Sequence, residues 1–346
     1  MTELHSPPKT SIWQSNWVNT LGRFGVLIVV FGFFAWKVED GKFYTPRNLE
    51  NIARQSAVYA TAALGMTLVI ITAGIDLSIG SVIALTVVGV AWMLNLPAGA
   101  NDILINRYPV GLPILAVIGG VVLATLAGLA NGVMVVWLRI SPFIVTLGTM
   151  GVFRGLAKGI SQEKDIYPEV DTWISTIMEP TLTNPDRDWM LLPPGVWLLL
   201  VSALAGAFLL RYTRLGRHIY AVGSNEETAR LCGVPVGRTK IIVYMLAGMF
   251  GGLAGLMQFS FISGIGQPTT GISYELFVIA AVVIGGASLM GGEGTIMGSV
   301  IGALMITILY MGGQQAGWPK WVQEMVIGGI IIAAVALDQL RHRGNA

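Results

Sequence analysis

The chain has little of what a soluble enzyme needs. Its 346 residues include one cysteine, three histidines and only 12% charged residues. A single cysteine, Cys232, excludes an intrachain disulfide and any site built from several thiolates. The histidines, His5, His218 and His342, stand far apart, and none has a partner at metal-ligand spacing. No segment matches the GxxxxGK[ST] phosphate-binding pattern, so if ATP drives this protein, another chain must bind it.

Long uncharged stretches fill most of the sequence instead. Hydrophobic residues make up 54% of the chain, and its charged fraction is well below the value of about 25% for soluble domains. Stretches such as 192–210 are long enough to cross a bilayer core of about 30 Å. We predict an all-α, polytopic membrane protein with about ten transmembrane helices. The predicted spans are 22–37, 52–73, 79–95, 113–137, 143–160, 193–210, 241–262, 275–290, 295–313 and 322–338.

The distribution of charge predicts the orientation of these spans. An even number of spans puts both termini on one side, and positively charged residues concentrate in short cytoplasmic loops. The segment 211–240 alone holds six of the 21 Lys and Arg residues, whereas the longer loop 161–192 is acidic. We therefore predict an N-in, C-in topology with 211–240 in the cytoplasm and 161–192 outside. The domain boundaries are a cytoplasmic tail over 1–20, one transmembrane domain over 21–338 and a second tail over 339–346.

Two glycine-rich breaks interrupt the apolar pattern. The first break, 72–81, joins two apolar runs with almost no room for a loop and contains one carboxylate, Asp76. Either Asp76 or Ser78 can cap the helix that follows, or the broken helix can direct its positive end into a cavity. The second break is 284–295, and the helices after both breaks open with the sequence Gly-Ser-Val-Ile. We expect broken or re-entrant helices at these two places.

A small set of polar side chains lies within or near the spans. Charged groups are expensive in lipid and usually face other helices or a water-filled cavity. Arg154 can line such a path or bind carbonyl groups of a neighbouring helix, and both alternatives stay open. Neutral hydrogen-bonding groups predominate, which suits a neutral polyhydroxylated solute better than an ion. The candidate residues of a translocation path or helix break are Asp76, Ser78, Asn131, Thr146, Arg154, Gln258 and Glu275.

The basic segment 211–240 also predicts a short helix. Ser224 and Glu227 fit the S-x-x-E capping box, in which two side chains bind the first free amides of a helix. Gly233 and Pro235 are typical of the end of such a helix. A short capped helix on a basic loop offers a surface to a soluble partner. The alternative is a loop that is merely solvated or bound to anionic lipid headgroups.

Several separated motifs together resemble the permease subunits of ribose-type carbohydrate ABC importers of bacteria. The resemblance extends over roughly 50–338. Among the matching motifs are Gly74-Ile75-Asp76-Leu77-Ser78-Ile79-Gly80-Ser81, Pro142-Phe143-Ile144-Val145-Thr146-Leu147-Gly148-Thr149, Ala221-Val222-Gly223-Ser224-Asn225-Glu226 and Tyr274-Glu275-Leu276. Their number and order make the match specific.

This resemblance implies a multi-pass permease of the bacterial inner membrane that is not itself an enzyme and needs no cofactor. Such a permease imports a sugar or similar neutral polyol while a separate ATP-binding cassette subunit hydrolyses ATP. The family also implies an extracytoplasmic solute-binding protein and a second permease chain, identical or different, whereas nucleic acid is not an expected partner. A similar permease for an amino acid or a nucleoside is one alternative, and an ion-coupled secondary transporter is another.

The resemblance further implies that 223–233 is the coupling segment that docks into the ATPase subunit. It is similar to the EAA-type loop of importers, but Thr228 stands where a small apolar residue is common. The acidic loop 161–192 is a candidate surface for the solute-binding protein, and solvation alone would explain its charge equally well. The candidate coupling residues are Gly223, Asn225, Glu226, Glu227, Ala229 and Gly233.

Overall fold

A computed structural model describes residues 16–95, 111–168, 172–182, 184, 187 and 189–343. Over these ranges the protein is helical and contains no strand, only an isolated antiparallel bridge between Ile166 and Gly266. Most of the predicted N-terminal tail and part of the acidic 161–192 loop lie outside the described residues. The predicted all-α class is therefore confirmed for the described part of the chain.

Each predicted span corresponds to one helix, and the polar segment 211–240 contains two more. In chain order the helices are α1 (Asn16–Lys37), α2 (Pro46–Ile71), α3 (Ile79–Leu94), α4 (Gly111–Trp137), α5 (Pro142–Ser161), α6 (Pro194–Tyr212), α7 (Arg214–Ser224), α8 (Glu226–Leu231), α9 (Val236–Phe261), α10 (Tyr274–Ile284), α11 (Ile296–Gln315) and α12 (Lys320–Arg343). A 3₁₀ helix, Glu39–Tyr44, connects α1 to α2. By length and hydropathy, six of the described helices can span a membrane: α2, α4, α5, α6, α9 and α11.

Helices α2 and α9 form the centre of the bundle. In the most apolar 18 residues of α2, 89% are buried, compared with 28% in α5. Helix α9 approaches its neighbours at glycines: a Cβ on Gly128 of α4 would lie 2.9 Å from Cα of Gly248, and one on Gly65 of α2 would lie 2.8 Å from Cα of Ala247. Small residues at such contacts let helix backbones pack closely in lipid.

The first break places α3 deep inside this bundle. Helix α2 ends at Ile71, and Ala73 takes a left-handed conformation with φ of 57° that turns the chain. Helix α3 then begins at Ile79, whose Cδ1 would lie 2.8 Å from a Cβ on Gly251, past the midpoint of α9. The segment between α2 and α3 therefore runs back along α9 before the next helix starts.

The second break lies at 284–295 as predicted, but the predicted span 275–290 ended too late, because α10 ends at Ile284. The glycines that follow take backbone conformations that other residues rarely adopt. Gly286, Gly291 and Gly292 have φ of 83°, 89° and 76°. These values are incompatible with a continuing right-handed helix, so the apolar pattern alone placed the end of α10 too late.

Candidate functional site

Four of the candidate path residues meet at the first break and form one buried polar cluster. We define the polar cluster as Asp76, Ser78, Asn131 and Thr146, each at most 2% exposed. Asn131 on α4 donates its amide hydrogen to Oγ of Ser78 at 2.8 Å. Thr146 on α5 donates to the carbonyl oxygen of Ile75 at 3.2 Å. The helices α4 and α5 thus hold the turn between α2 and α3 from two sides.

The capping prediction for this turn was only partly right. Ser78 is the residue before α3, but its side chain makes no capping bond to the helix. Instead the hydroxyl of Ser78 donates to Oδ1 of Asp76 at 2.6 Å, and the amide of Ser78 donates to the same oxygen at 2.8 Å. Asp76 therefore stabilises the turn that precedes α3, because its carboxylate accepts the amide of the residue just before the helix.

The polar cluster consists of neutral groups around one carboxylate. No Lys or Arg of the described ranges forms a salt bridge with Asp76. The Oδ1 atom of Asn131 is buried and has no hydrogen-bond partner among the described residues. Buried polar atoms normally have partners, so this oxygen is a free acceptor beside the break. An amide, two hydroxyls and a carboxylate can exchange hydrogen bonds with a polyhydroxylated solute.

The three remaining path candidates lie elsewhere, around the start of α10. Gln258 accepts a hydrogen bond from the hydroxyl of Tyr274 at 3.3 Å, and the ring of Tyr274 packs edge-on against Tyr59 at 4.9 Å. Arg154 donates to the carbonyl oxygens of Pro268 and Thr270. Of the two alternatives for Arg154, this contact fits the binding of carbonyl groups. The carbonyls belong to the segment before α10 rather than to a neighbouring helix.

Glu275, the last of the candidates, lies against the start of α3. Its Oε2 atom would be 2.6 Å from a Cβ on Gly80, the second residue of α3. A Cβ on Gly271 would lie 2.6 Å from the carbonyl oxygen of Gly80. The segment before α10 and the first turn of α3 therefore touch at backbone distance, which requires glycine at both positions.

The predicted short helix of the coupling segment is present as α8, but its capping residue differs. Asn225, in an extended conformation, accepts the amide of Thr228 through its side chain at 2.8 Å. The predicted Ser224–Glu227 capping box is wrong, because Ser224 is the last residue of α7. The sequence analysis did not predict α7. Gly233, with φ of 82°, lies just after the helix end as predicted.

The six candidate coupling residues divide into structural and exposed ones. Ala229 is buried, and Glu226 is paired with Arg230 at 3.1 Å and with Lys240 at 2.6 Å. Glu227 is exposed and belongs to no salt bridge among the described residues. Leu231, which the sequence analysis did not select, is 89% exposed. The exposed side chains of α8 therefore include Glu227, Leu231 and the ion-paired Arg230.

Three tyrosines that the sequence analysis did not select as site residues also form hydrogen bonds here, two of them to the break regions. Tyr244 on α9 lies 3.5 Å from the carbonyl oxygen of Ile75, Tyr274 bonds Gln258, and Tyr220 on α7 donates to the carbonyl oxygen of Gly294 at 2.7 Å. For Tyr244 the available signal was a tyrosine within an apolar run, because its hydroxyl needs a partner when buried.

Comparison with known proteins places the chain among transport permeases. The family model described as "Branched-chain amino acid transport system / permease component" matches residues 48–335. The ribose import permease protein of Escherichia coli (strain K12) is 38% identical over 310 residues, which cover 87% of this chain and 88% of that protein. The D-allose transport system permease protein of the same strain is 34% identical over 319 residues, covering 92% and 91%.

A third relative extends the similarity to another sugar. The galactose/methyl galactoside import permease protein of Salmonella typhimurium (strain LT2) is 34% identical over 335 residues, covering 94% of this chain and 96% of that protein. No solved structure matches the chain.

Proposed function

The chain belongs to the family of permease components of branched-chain amino acid transport systems, and from that premise we propose that it moves a sugar or similar neutral polyol into the cell. The predicted resemblance to ribose-type permeases is confirmed, and the protein is a multi-pass permease of the inner membrane. The observation that carries the choice of cargo is that relatives matched along most of their length carry names of four sugars: ribose, allose, galactose and xylose.

The chemistry of the polar cluster supports a neutral cargo. A free amino acid carries a carboxylate and an ammonium group, and each would need an opposite charge in a low-dielectric path. The polar cluster instead offers a single carboxylate, Asp76, among hydroxyl and amide groups of Ser78, Asn131 and Thr146. A branched-chain amino acid is the second candidate cargo, because the family description names that class.

Uptake by vesicles that contain the permease with its ATPase and solute-binding partners tests the cargo. We expect saturable uptake of one radiolabelled sugar among ribose, allose, galactose and xylose, and none of leucine. Uptake of leucine alone would favour the second candidate. Uptake that persists after the ATPase partner is inactivated by mutation would indicate a secondary transporter and contradict the proposal.

The proposed topology has about ten transmembrane helices and both termini in the cytoplasm. The domain boundaries stay at 1–20, 21–338 and 339–346, with broken helices at the ends of α2 and α10. The short length of α3 and its start beside the middle of α9 support a re-entrant arrangement. The functional unit contains two permease chains surrounded by lipid, two ATPase subunits and a solute-binding protein on the 161–192 side.

Within this assembly the exposed face of α8 docks into the ATPase subunit. The neighbouring side chains hold α8 in place rather than reach outward: Asn225 caps it, Glu226 ties it to α9 and Ala229 packs inward. Glu227 and Leu231 are exposed and are therefore the proposed contact residues. A buried apolar anchor with a nearby charge is a common pattern at protein interfaces.

The substitution Glu227→Lys tests this docking. Reversing the charge should weaken binding to the ATPase subunit by about tenfold or more, because a positive side chain would then face a partner surface that is complementary to a negative one. Copurification of the ATPase subunit with the permease measures the loss. The matched control is Glu324→Lys, because Glu324 is also exposed but lies on α12.

Cys232 provides an independent readout of the same contact. It is the only cysteine of the chain, and it is exposed beside Leu231. Maleimide labelling of Cys232 should be slowed by the ATPase subunit in the unmodified permease and in Glu324→Lys, but not in Glu227→Lys. Equal protection of Cys232 in all three proteins would contradict a docking role for Glu227.

A further inference from the structure

The end of α7 is interlocked with both helix breaks. Gly223 lies so close to the end of α2 that a Cβ there would overlap the carbonyl oxygen of Ile71. The same Cβ would lie 2.6 Å from the amide nitrogen of Gly292, in the second break. The amide of Gly292 in turn donates to the carbonyl oxygen of Ile71 at 2.9 Å. Three separate segments of the chain thus meet at one point.

Further contacts widen this meeting point. A Cβ on Gly291 would lie 2.7 Å from the carbonyl oxygen of Gly223 and 2.8 Å from Cβ of Ala73, in the first break. Tyr220, one helical turn before Gly223, donates its hydroxyl hydrogen to the carbonyl oxygen of Gly294 at 2.7 Å. We call this set the junction: Ile71, Ala73, Tyr220, Gly223, Gly291, Gly292 and Gly294.

The junction stands immediately before the docking helix. Asn225, which caps α8, comes two residues after Gly223 and follows the last residue of α7. A displacement of α8 by a partner therefore acts on the end of α7 with no flexible linker between them. Because the atoms of the junction are in contact, the end of α7 cannot move without moving the end of α2 or the glycine loop.

Resting on the proposed function, we infer that Tyr220 is a positioning residue that transmits motion of the docked α8 to the loop 285–294 and, through the amide of Gly292, to the α2–α3 break. The hydroxyl of Tyr220 forms a side-chain hydrogen bond from α7 to the carbonyl oxygen of Gly294 in this loop. Burial raises the pKa of Tyr220, so its hydroxyl keeps the proton that it donates.

The substitution Tyr220→Phe removes this hydrogen bond and leaves the ring in place. The test measures the accessibility of the first break directly, so the cargo does not need to be known. In a Cys232→Ser background, Leu77→Cys introduces a single thiol at a partly exposed position of the break. The maleimide reactivity of this thiol is measured in membranes that contain the permease and its ATPase subunit, with and without ATP, alongside ATP hydrolysis.

We expect the parent protein to change its labelling rate with ATP. Tyr220→Phe should bind the ATPase subunit and hydrolyse ATP as the parent does, while the ATP-induced change in labelling falls about fivefold, the effect of losing ~1 kcal/mol. A purely structural tyrosine would lower hydrolysis and labelling together, which would overturn the inference. The matched control is Tyr212→Phe, because Tyr212 is 63% exposed and lies outside the junction.

A second variant alters the junction in the glycine loop rather than in α7. Gly292→Ala places a Cβ 3.1 Å from Cα of Ser224 at a φ of 76°, so it strains the same contact. Residues that act through one shared contact give non-additive effects. The double variant carries both Tyr220→Phe and Gly292→Ala. We expect its ATP-induced change in labelling to be no smaller than that of Gly292→Ala alone. Additive losses in the double variant would overturn the inference.

Comparison of the parent protein with Tyr220→Phe distinguishes a failure of the proposed function from a failure of this inference. If the parent fails to bind the ATPase subunit or shows no response to ATP, the proposed function fails and the inference falls with it. If the parent responds and Tyr220→Phe responds equally, the proposed function stands and only the role of Tyr220 is refuted.

Discussion

The two helix breaks of this permease are held in different ways. At the first break, side chains hold the turn: Asp76 accepts the amide and hydroxyl of Ser78, and Asn131 donates to the same hydroxyl. At the second break, backbone contacts of glycines hold the loop. For example, the amide of Gly292 donates to the carbonyl oxygen of Ile71. The first break is therefore held by polar side chains that can meet a solute, whereas glycine backbones bring the second break into contact with α2 and α7.

This difference predicts different tasks for the two breaks. A turn held by hydroxyl, amide and carboxylate groups can exchange its hydrogen bonds with those of a polyhydroxylated cargo. The second break also contains polar side chains, Ser288 and Glu293, but glycine backbones make its contacts with α2 and α7, and such close contacts can pass on a displacement. The second break faces the junction with α7, and the first faces α4 and α5. Four substitutions test this division.

The largest effect is expected from Gly298→Val on α11, which packs against Gly285 of the second break. A Cβ at Gly298 would overlap the carbonyl oxygen of Gly285 and lie 2.7 Å from the guanidinium group of Arg23. Overpacking of this kind costs about 1–3 kcal/mol, and here backbone must move, so we expect the upper end. The midpoint of thermal unfolding in detergent measures the loss. The control is Gly328→Val, because no atom lies within 4 Å of a Cβ there.

At the first break, Asp76→Ala should have the next largest effect. It leaves the buried amide and hydroxyl of Ser78 without their acceptor, a loss of about 1–3 kcal/mol. Asp76→Asn keeps the Oδ1 acceptor and should destabilise the protein less. Thermal unfolding of both variants gives the comparison. Equal midpoints for the two would show that the hydrogen bonds of Asp76 do not hold the turn.

Asn131→Leu should separate stability from transport. The variant removes one hydrogen bond to Ser78 but also removes the unpartnered Oδ1, so the net change in stability should stay below about 1 kcal/mol. Uptake of the labelled sugar should nevertheless fall, because the free acceptor beside the break is lost. Normal uptake at normal stability would exclude Asn131 from the path.

The smallest effect is expected from Thr146→Val. This variant loses the bond to the carbonyl oxygen of Ile75 in addition to a bond to Pro142 within its own helix. The loss should be about 0.5–1 kcal/mol. Thr125→Val is the matched control, because Thr125 bonds only to Val121 within α4. The difference between the two unfolding midpoints reports the bond that joins α5 to the first break, and no difference would mean that α5 does not hold it.

Much of the fold was readable from the sequence because lipid imposes a simple rule. A backbone in lipid must satisfy its own hydrogen bonds, so every long apolar run becomes a helix, and each of the predicted spans contains one. The end of α10 was misplaced because Ile284 to Met290 is apolar yet glycine-rich. Hydrophobicity cannot distinguish a helix from a loop that is buried against other parts of the protein.

The candidate site was only partly predictable, for a related reason. Asp76, Ser78, Asn131 and Thr146 were selected one at a time as polar residues near apolar runs, and their contact in one cluster depends on how α4 and α5 pack. The cap of α8 was predicted one residue too early, because Ser224 belongs to α7. The roles of these residues in transport and coupling stay predictions.

The resemblance of several motifs to a known family identified the chain as a permease. The local sequence determined that this is a helical membrane protein, that its chain breaks after α2 and α10, and that the segment 223–233 contains a short helix. These features follow from local composition, since hydrophobic length and glycine position act within a few residues. Only the tertiary structure decided that Gly223, Ile71 and Gly292 meet at one point. Contacts between backbones of distant segments leave no local pattern beyond the glycines that permit them, so folding alone brings the end of α7 against both breaks.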